Sequence, residues 1–233
     1  MTRRRVSNPL ALAVLSCLIE RPMHPYEMSQ TLRGRGKEGS IKLNYGSLYS
    51  VVEALAKHGL IAARETVREG RRPERTVYEI TSAGAEEFED WLAELLSTPT
   101  REYTSLEAGL SLMAGLPPDE AARLLEQRVG RLTLEVRSIE STNEVALEMR
   151  LPEVFIVETR FREAMLRAEL EFVRRLAADI RSGDLQGTDG WRRLHELRAE
   201  GLSMGEILAD PVAHLGESGR ALAPHDPSGG PPE

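Results

Sequence analysis

Between Asn44 and Leu55 the apolar positions Leu48, Val51, Val52 and Leu55 recur at helical spacing, while Tyr45, Ser47, Tyr49 and Ser50 fall elsewhere around the same helix. One face packs and the other is left for polar work. Upstream, the run Leu10 to Ile19 predicts a buried first helix. It starts after Asn8-Pro9 and ends near Glu20, because the residue before Pro22 is pushed out of helical geometry. A second helix follows from about Pro25 through Leu32, broken by Gly34-Arg35-Gly36-Lys37. Downstream, Gly59 stands where a helix C-cap belongs, just after Lys57. Two short strands, Ala62 to Val67 and Thr76 to Ile80, flank an Arg-rich loop, and a fourth helix passes through Phe88, Trp91, Leu92, Leu95 and Leu96 before stopping near Pro99.

The second half changes period. Pro117-Pro118-Asp119-Glu120 is a helix start, and from it a heptad seam runs through Ala122 and Leu125, Val129 and Leu132, Val136 and Ile139, Asn143 and Ala146. Such a seam calls for a coiled-coil-like partner. Asn143 within it either fixes register or marks fraying before Leu151-Pro152. The next helix has one stripe through Val154, Val157, Phe161, Met165, Ala168, Phe172 and Leu176 and another through Leu166, Leu170, Val173 and Ala177. A helix apolar on two sides must be covered on two sides, which predicts a subunit interface involving Val129, Leu132, Val136, Ile139, Phe161, Met165 and Phe172. After Gly183 the pattern weakens to one short helix, Trp191 to Arg198, and the Pro- and Gly-rich end reads as a disordered tail. The expected domains are therefore 1–97, 98–183 and a weakly structured to disordered 184–233.

Charge sharpens this division. The chain of 233 residues has a net charge of −7, which on its face argues against nucleic acid. Residues 1–84, however, carry 14 Lys and Arg against 8 Asp and Glu, and the remainder 16 against 29. A basic first module joined to an acidic second one is the footprint expected when only the first meets phosphates.

Helix, helix, helix, basic hairpin is the order of a winged helix, which sets a helix in the DNA major groove with the hairpin beside it. The residues carry a more specific likeness: Leu15 to Leu18, Met23-His24-Pro25-Tyr26-Glu27-Met28, Leu32-Arg33, Gly46-Ser47-Leu48-Tyr49, Leu55, Gly59-Leu60-Ile61, Arg71-Arg72 and Tyr78-Glu79-Ile80-Thr81-Ser82-Ala83-Gly84. Together they resemble the PadR family of bacterial transcription regulators, tightly over roughly the first ninety residues and loosely over the next hundred. Many members have Gly where Pro25 stands and Pro where Ser50 stands, and neither difference removes a DNA-facing group.

The resemblance implies a mainly α protein with a small β-hairpin: a winged helix-turn-helix domain followed by a helical, coiled-coil-like dimerisation domain. It implies a homodimer that binds double-stranded DNA, acts mostly as a repressor and responds to a small aromatic or drug-like effector. Tyr26 and Gly46-Ser47-Leu48-Tyr49 match the family's DNA-reading unit, with Leu48 packed inward. The residues themselves add Asn44 and Tyr45 as hydrogen-bonding groups at the helix start, Gly46 for close approach to a phosphate, and Arg71, Arg72 and Arg75 on the wing for phosphates or a narrow minor groove. Arg3, Arg4 and Arg5 are a further backbone contact. Asn44 is the one amide here suited to a bidentate base contact, so readout is expected to lean on DNA shape and bridging water. Effector-lining candidates are Phe88, Trp91, Phe161, Met165 and Phe172, whose helical spacing equally suits ordinary core.

Other classes find little support. Gly34 to Lys37 lacks the Ser or Thr that a phosphate-binding loop needs after its Lys, since Glu38 follows. The five His are scattered without metal-ligand spacing, and no nucleophile motif occurs, so no catalytic residue, metal or cofactor is expected. The basic start and apolar run imitate a signal peptide but lack its small-residue cleavage site and are too short to span a bilayer, which points to a cytoplasmic protein. Cys17, within the apolar helix, reads as a buried hydrophobe rather than a redox sensor. A winged-helix module that binds another protein, and a MarR-type regulator, are the alternatives.

Overall fold

The computed structural model describes residues 6–67 and 75–222, which form two compact units divided between Glu102 and Tyr103. This boundary lies five residues beyond the one expected at 97. The fold is mostly helical with one two-stranded antiparallel hairpin, as the sequence pattern requires.

In the first unit, α1 (Pro9–Glu20) is capped by Asn8, whose side chain accepts from the Leu10 amide at 3.0 Å, and Pro9 occupies the first turn, where its missing amide costs nothing. Helix α2 (Pro25–Gly34) begins with Pro25 in its first turn. His24 Nδ1 accepts from the Tyr26 amide, and the Glu27 carboxylate accepts from the His24 amide. Helix α3 (Tyr45–Lys57) ends at His58 and Gly59, and Gly59 takes φ +73°, the left-handed conformation that lets the Leu60 amide reach back to the Leu55 carbonyl at 3.0 Å. Strands β1 (Ile61–Val67) and β2 (Arg75–Ile80) pair from Ile61↔Ile80 to Val67↔Arg75, with a bulge between Ala63 and Glu65. Met23 bonds to the opposite edge of β2, exchanging both backbone bonds with Tyr78 at 3.0 Å. Helix α4 (Ser82–Ser97) follows. Leu10, Leu15, Met28, Leu48, Val52 and Leu55 are closed from solvent in one core that also takes in Trp91.

Cys17 lies in this core, and burial pushes its thiol up to about 11. A thiolate is therefore scarce at neutral pH and out of reach. An aromatic disulfide reagent at pH 8 is expected to leave Cys17 unmodified in the folded protein and to titrate it fully in denaturant. Rapid labelling of native protein would contradict the placement.

In the second unit, α5 (Ser105–Ser111) and a 3-10 turn at Met113–Gly115 precede α6 (Pro118–Glu148), which doubles back through a short connection into α7 (Val157–Ser182). The seam positions Leu125, Leu132, Val136 and Ile139 are buried. Cross-helix pairs fix the antiparallel register, with Arg181 on Glu126 at 2.9 Å, Arg128 on Glu169 at 2.6 Å and Arg167 on Glu140 at 2.6 Å. Asn143 is buried, donates to Glu163 at 2.6 Å and accepts from the Thr159 hydroxyl at 2.5 Å. It lies five residues inside the end of α6 and is bonded to α7 through both its donor and its acceptor, so it serves as a register clasp and not a fraying end.

Two sequence expectations are corrected here. Leu132, Val136 and Ile139, expected between subunits, are buried within one chain because the partner their seam calls for is α7 itself. Residues 188–222, expected to be weakly structured apart from one short helix at Trp191 to Arg198, form α8 (Thr188–Ala199), which contains that helix, and also α9 (Met204–Ala209), α10 (Pro211–Leu215) and a 3-10 segment from Gly216 to Leu222. Leu197, Ile207 and Leu215 close a small core of their own, and Ser203 and Asp210 cap the two short helices. The tail expected over 223–233 lies outside the described residues.

Candidate nucleic-acid interface

Burying Leu48, Val51, Val52 and Leu55 leaves Gly46, Tyr49, Ser50 and Glu53 on the exposed face of α3, at steps of three and four. Tyr49 is 42% exposed, so its ring is not core. Tyr26 on α2 is equally open, and its hydroxyl accepts from Gln30 at 2.7 Å one helical turn on. Gln30 belongs to no motif in the sequence, although its position four residues after Tyr26 is the signal that finds it.

Asn44 also has a structural duty. It caps α3, with Oδ1 accepting the Ser47 amide at 2.7 Å, which takes one of that oxygen's two lone pairs. The same cap leaves the Tyr45 and Gly46 amides without an acceptor inside the helix, at the end whose dipole favours anions. Ser50 donates back to the Gly46 carbonyl at 3.0 Å, and Ser47 is half-buried beside the cap. The exposed groups here are therefore the first amides of α3, the Tyr49 ring and, on α2, the hydrogen-bonded Tyr26 and Gln30.

Much of the domain's charge is spent internally. Arg35 donates twice to Glu20, holding that carboxyl below the usual carboxylate range, and Arg33 pairs with Glu38 at 3.0 Å, Arg21 with Glu27 at 3.6 Å and Arg64 with Glu79 at 3.8 Å. Lys42, before α3, and Lys57, in its last turn, are exposed and are not singled out as contacts by the sequence pattern. Arg75 opens β2, while Arg71, Arg72 and Arg3 to Arg5 lie outside the described residues.

Of the expected effector lining, Trp91 and Phe88 pack in the core of the first unit, and Phe161, Met165 and Phe172 are exposed on α7 of the second. Val129 is half-buried against α7. Among the described residues no cluster of His, Cys, Asp and Glu is set to hold a metal ion, and no helix is long and apolar enough to cross a membrane.

Residues 14–90 match the family model described as the transcriptional regulator PadR-like family. No curated protein matches the chain by sequence. Among solved structures, Bacillus subtilis PadR in complex with operator DNA superposes with a TM-score of 0.61 at 16% identity, covering 74% of this chain and 99% of that one. The same protein in complex with p-coumaric acid gives 0.60 at 15% identity, over 73% and 98%. A PadR-like transcriptional regulator from Bacillus cereus gives 0.51 at 15% identity, over 75% and 99%. At these identities the likeness is one of fold, and about a quarter of the chain has no counterpart in those structures. Taken with the matched residues, it means that this chain carries, over residues 14–90, the domain of the PadR-like transcriptional regulators.

Proposed function

We propose that the chain is a sequence-specific DNA-binding regulator of transcription, a homodimeric repressor that acts in the cytoplasm on an inverted-repeat operator and releases it on binding a small effector. The observation that carries this reading is the exposed face of α3, where the Tyr45 and Gly46 amides, Tyr49 and Ser50 flank a capped helix start beside a hairpin. Helix amides and the wing cations Arg71, Arg72 and Arg75 supply phosphate contacts, and Tyr26, Ser47 and Tyr49 supply the groups that meet sugar and base edges. Self-pairing is supported by the stripe of Phe161, Met165 and Phe172 on α7, each more than half exposed and too apolar to be left in water. A two-fold dimer would read half-sites about one helical turn apart.

The test is a salt titration of binding to protein-selected genomic fragments, with Arg71→Ala and Arg72→Ala alongside the parent chain. Removing one cation from a phosphate is expected to flatten the logarithmic salt slope by roughly 0.9. Unchanged affinity and slope would remove the wing from the interface. A parent chain that ignores duplex DNA at low salt, yet retains a protein partner independently of salt, would replace this reading with a protein-docking one.

A further inference from the structure

Helix α2 opens on a phenol that is held at both ends. At its base, Pro25 fills the first turn, His24 Nδ1 accepts the Tyr26 amide at 3.1 Å, and the His24 amide donates to the Glu27 carboxylate at 2.9 Å. At its tip, one helical turn on, the Gln30 side-chain amide donates to the Tyr26 hydroxyl at 2.7 Å. Both side chains lie at the surface, so this bond fixes the tip of the ring without burying it.

That bond decides what the hydroxyl can do. A phenol oxygen that accepts from an amide still has its own proton to give, and the amide's pull makes it a stronger donor. Such a group suits a partner that only accepts. In a helix-turn-helix the helix before the recognition helix crosses the DNA backbone, and α2, which packs on α3, holds that place in the first unit. The acceptor within its reach there is a phosphate oxygen, and a chain running from amide to phenol to anion is charge-assisted at its last link.

We propose that Gln30 is a positioning residue for DNA binding, which turns the Tyr26 hydroxyl proton towards a backbone phosphate. The assignment rests on the DNA-binding reading above and narrows Tyr26's part in it from sugar and base edges to the phosphate.

The test is a double-mutant cycle on the full chain, read by fluorescence anisotropy with a protein-selected genomic fragment and with an unrelated duplex of equal length. Tyr26→Phe is expected to weaken both about tenfold and Gln30→Leu about threefold, while Gln30→Leu in the Tyr26→Phe background costs nothing more. The losses are equal on the two duplexes because a phosphate carries no sequence, and the salt slope stays that of the parent because neither side chain is charged. A second readout needs no DNA. The chain has three glutamines, and with these labelled by nitrogen-15 the side-chain amide signal that disappears in Gln30→Leu should shift in Tyr26→Phe. Circular dichroism melts check that each variant is folded. An unmoved Gln30 signal, or losses that multiply in the double variant, would overturn the pairing, and a loss confined to the selected fragment would make the contact a base edge and overturn the phosphate assignment. A parent chain that binds neither duplex fails the DNA-binding reading itself, which the glutamine signal keeps apart from failure of the pair.

Discussion

Gly84→Ala is expected to destabilise the first unit severely, although alanine is the better helix former. A Cβ built at Gly84 falls 2.0 Å from the Leu60 carbonyl oxygen and 2.9 Å from Ile80 Cγ1, and the first of these is backbone that cannot swing away. The approach is close because the turn at Gly59 and Leu60 is tied onto the start of α4. Thr81 Oγ1 donates to the Gly59 carbonyl at 2.8 Å and accepts the Gly84 amide at 3.0 Å, while the Thr81 amide donates to the Leu60 carbonyl at 3.1 Å. Relieving the clash means breaking these bonds or moving α4 off the core that holds Trp91. Overpacking of this kind costs about 1–3 kcal/mol, and more where backbone must shift, against an intrinsic helix gain of under about 1 kcal/mol for Gly to Ala. Urea unfolding followed by Trp91 fluorescence, in a Trp191→Phe background, reads the unit directly. Gly109→Ala in α5, where a Cβ meets nothing within 4 Å, is the control expected to be neutral or slightly stabilising. A Gly84→Ala midpoint equal to that of the parent would mean that the turn and α4 are not locked together.

That lock shows how far the sequence carries. Gly59-Leu60-Ile61 and Thr81-Ser82-Ala83-Gly84 each look like separate punctuation, a helix end and a helix start. Only the fold reveals that they are two halves of one contact, because a steric requirement between residues far apart leaves no local period. The buried face of α3 is legible for the opposite reason: four apolar residues at helical steps permit a single packing side. Met23, a one-residue addition to the edge of β2, has no alternation to read.

The helical half departs from its sequence pattern in two instructive ways. A heptad seam states that α6 needs an apolar neighbour and says nothing about whether that neighbour is another chain; a return helix of the same chain, α7, satisfies Leu132, Val136 and Ile139 at no cost in association entropy. Of the residues expected at the interface, Phe161, Met165 and Phe172 stay exposed on α7. The pattern shows a short helix within α8, whereas α9 and α10 are too short to show a sustained period, and their order comes from caps at Ser203 and Asp210 and from burial of Ile207 and Leu215. Asn44 has a double character for a chemical reason: the amide that suits a base edge also suits an N-cap, and the helix start uses its oxygen.

Tyr49→Glu is expected to lower DNA affinity at least about 100-fold, the equivalent of about 2.7 kcal/mol, while the unit keeps its fold. The ring is exposed on the face of α3 opposite Leu48 and Leu55, so exchanging it does not open the core, and a glutamate in the body of the helix has good intrinsic propensity. Next to a duplex, the same carboxylate faces the densest negative charge it could meet and also removes the phenol's own hydrogen bond, typically worth about 0.5–1.5 kcal/mol net. Glu53 already stands one turn further along this face, so Glu53→Gln should move affinity the other way, by a few-fold, through the removal of a like charge. Fluorescence anisotropy with an operator fragment at fixed salt measures both, and circular dichroism melts check that each variant is folded. Light scattering separates the remaining role for Tyr49. Were its ring a contact between subunits, Tyr49→Glu would lower the mass as well as the affinity, whereas a reading residue changes affinity alone. A folded Tyr49→Glu that binds the fragment as well as the parent would take α3 out of the groove, and with it the geometry on which the regulatory reading stands.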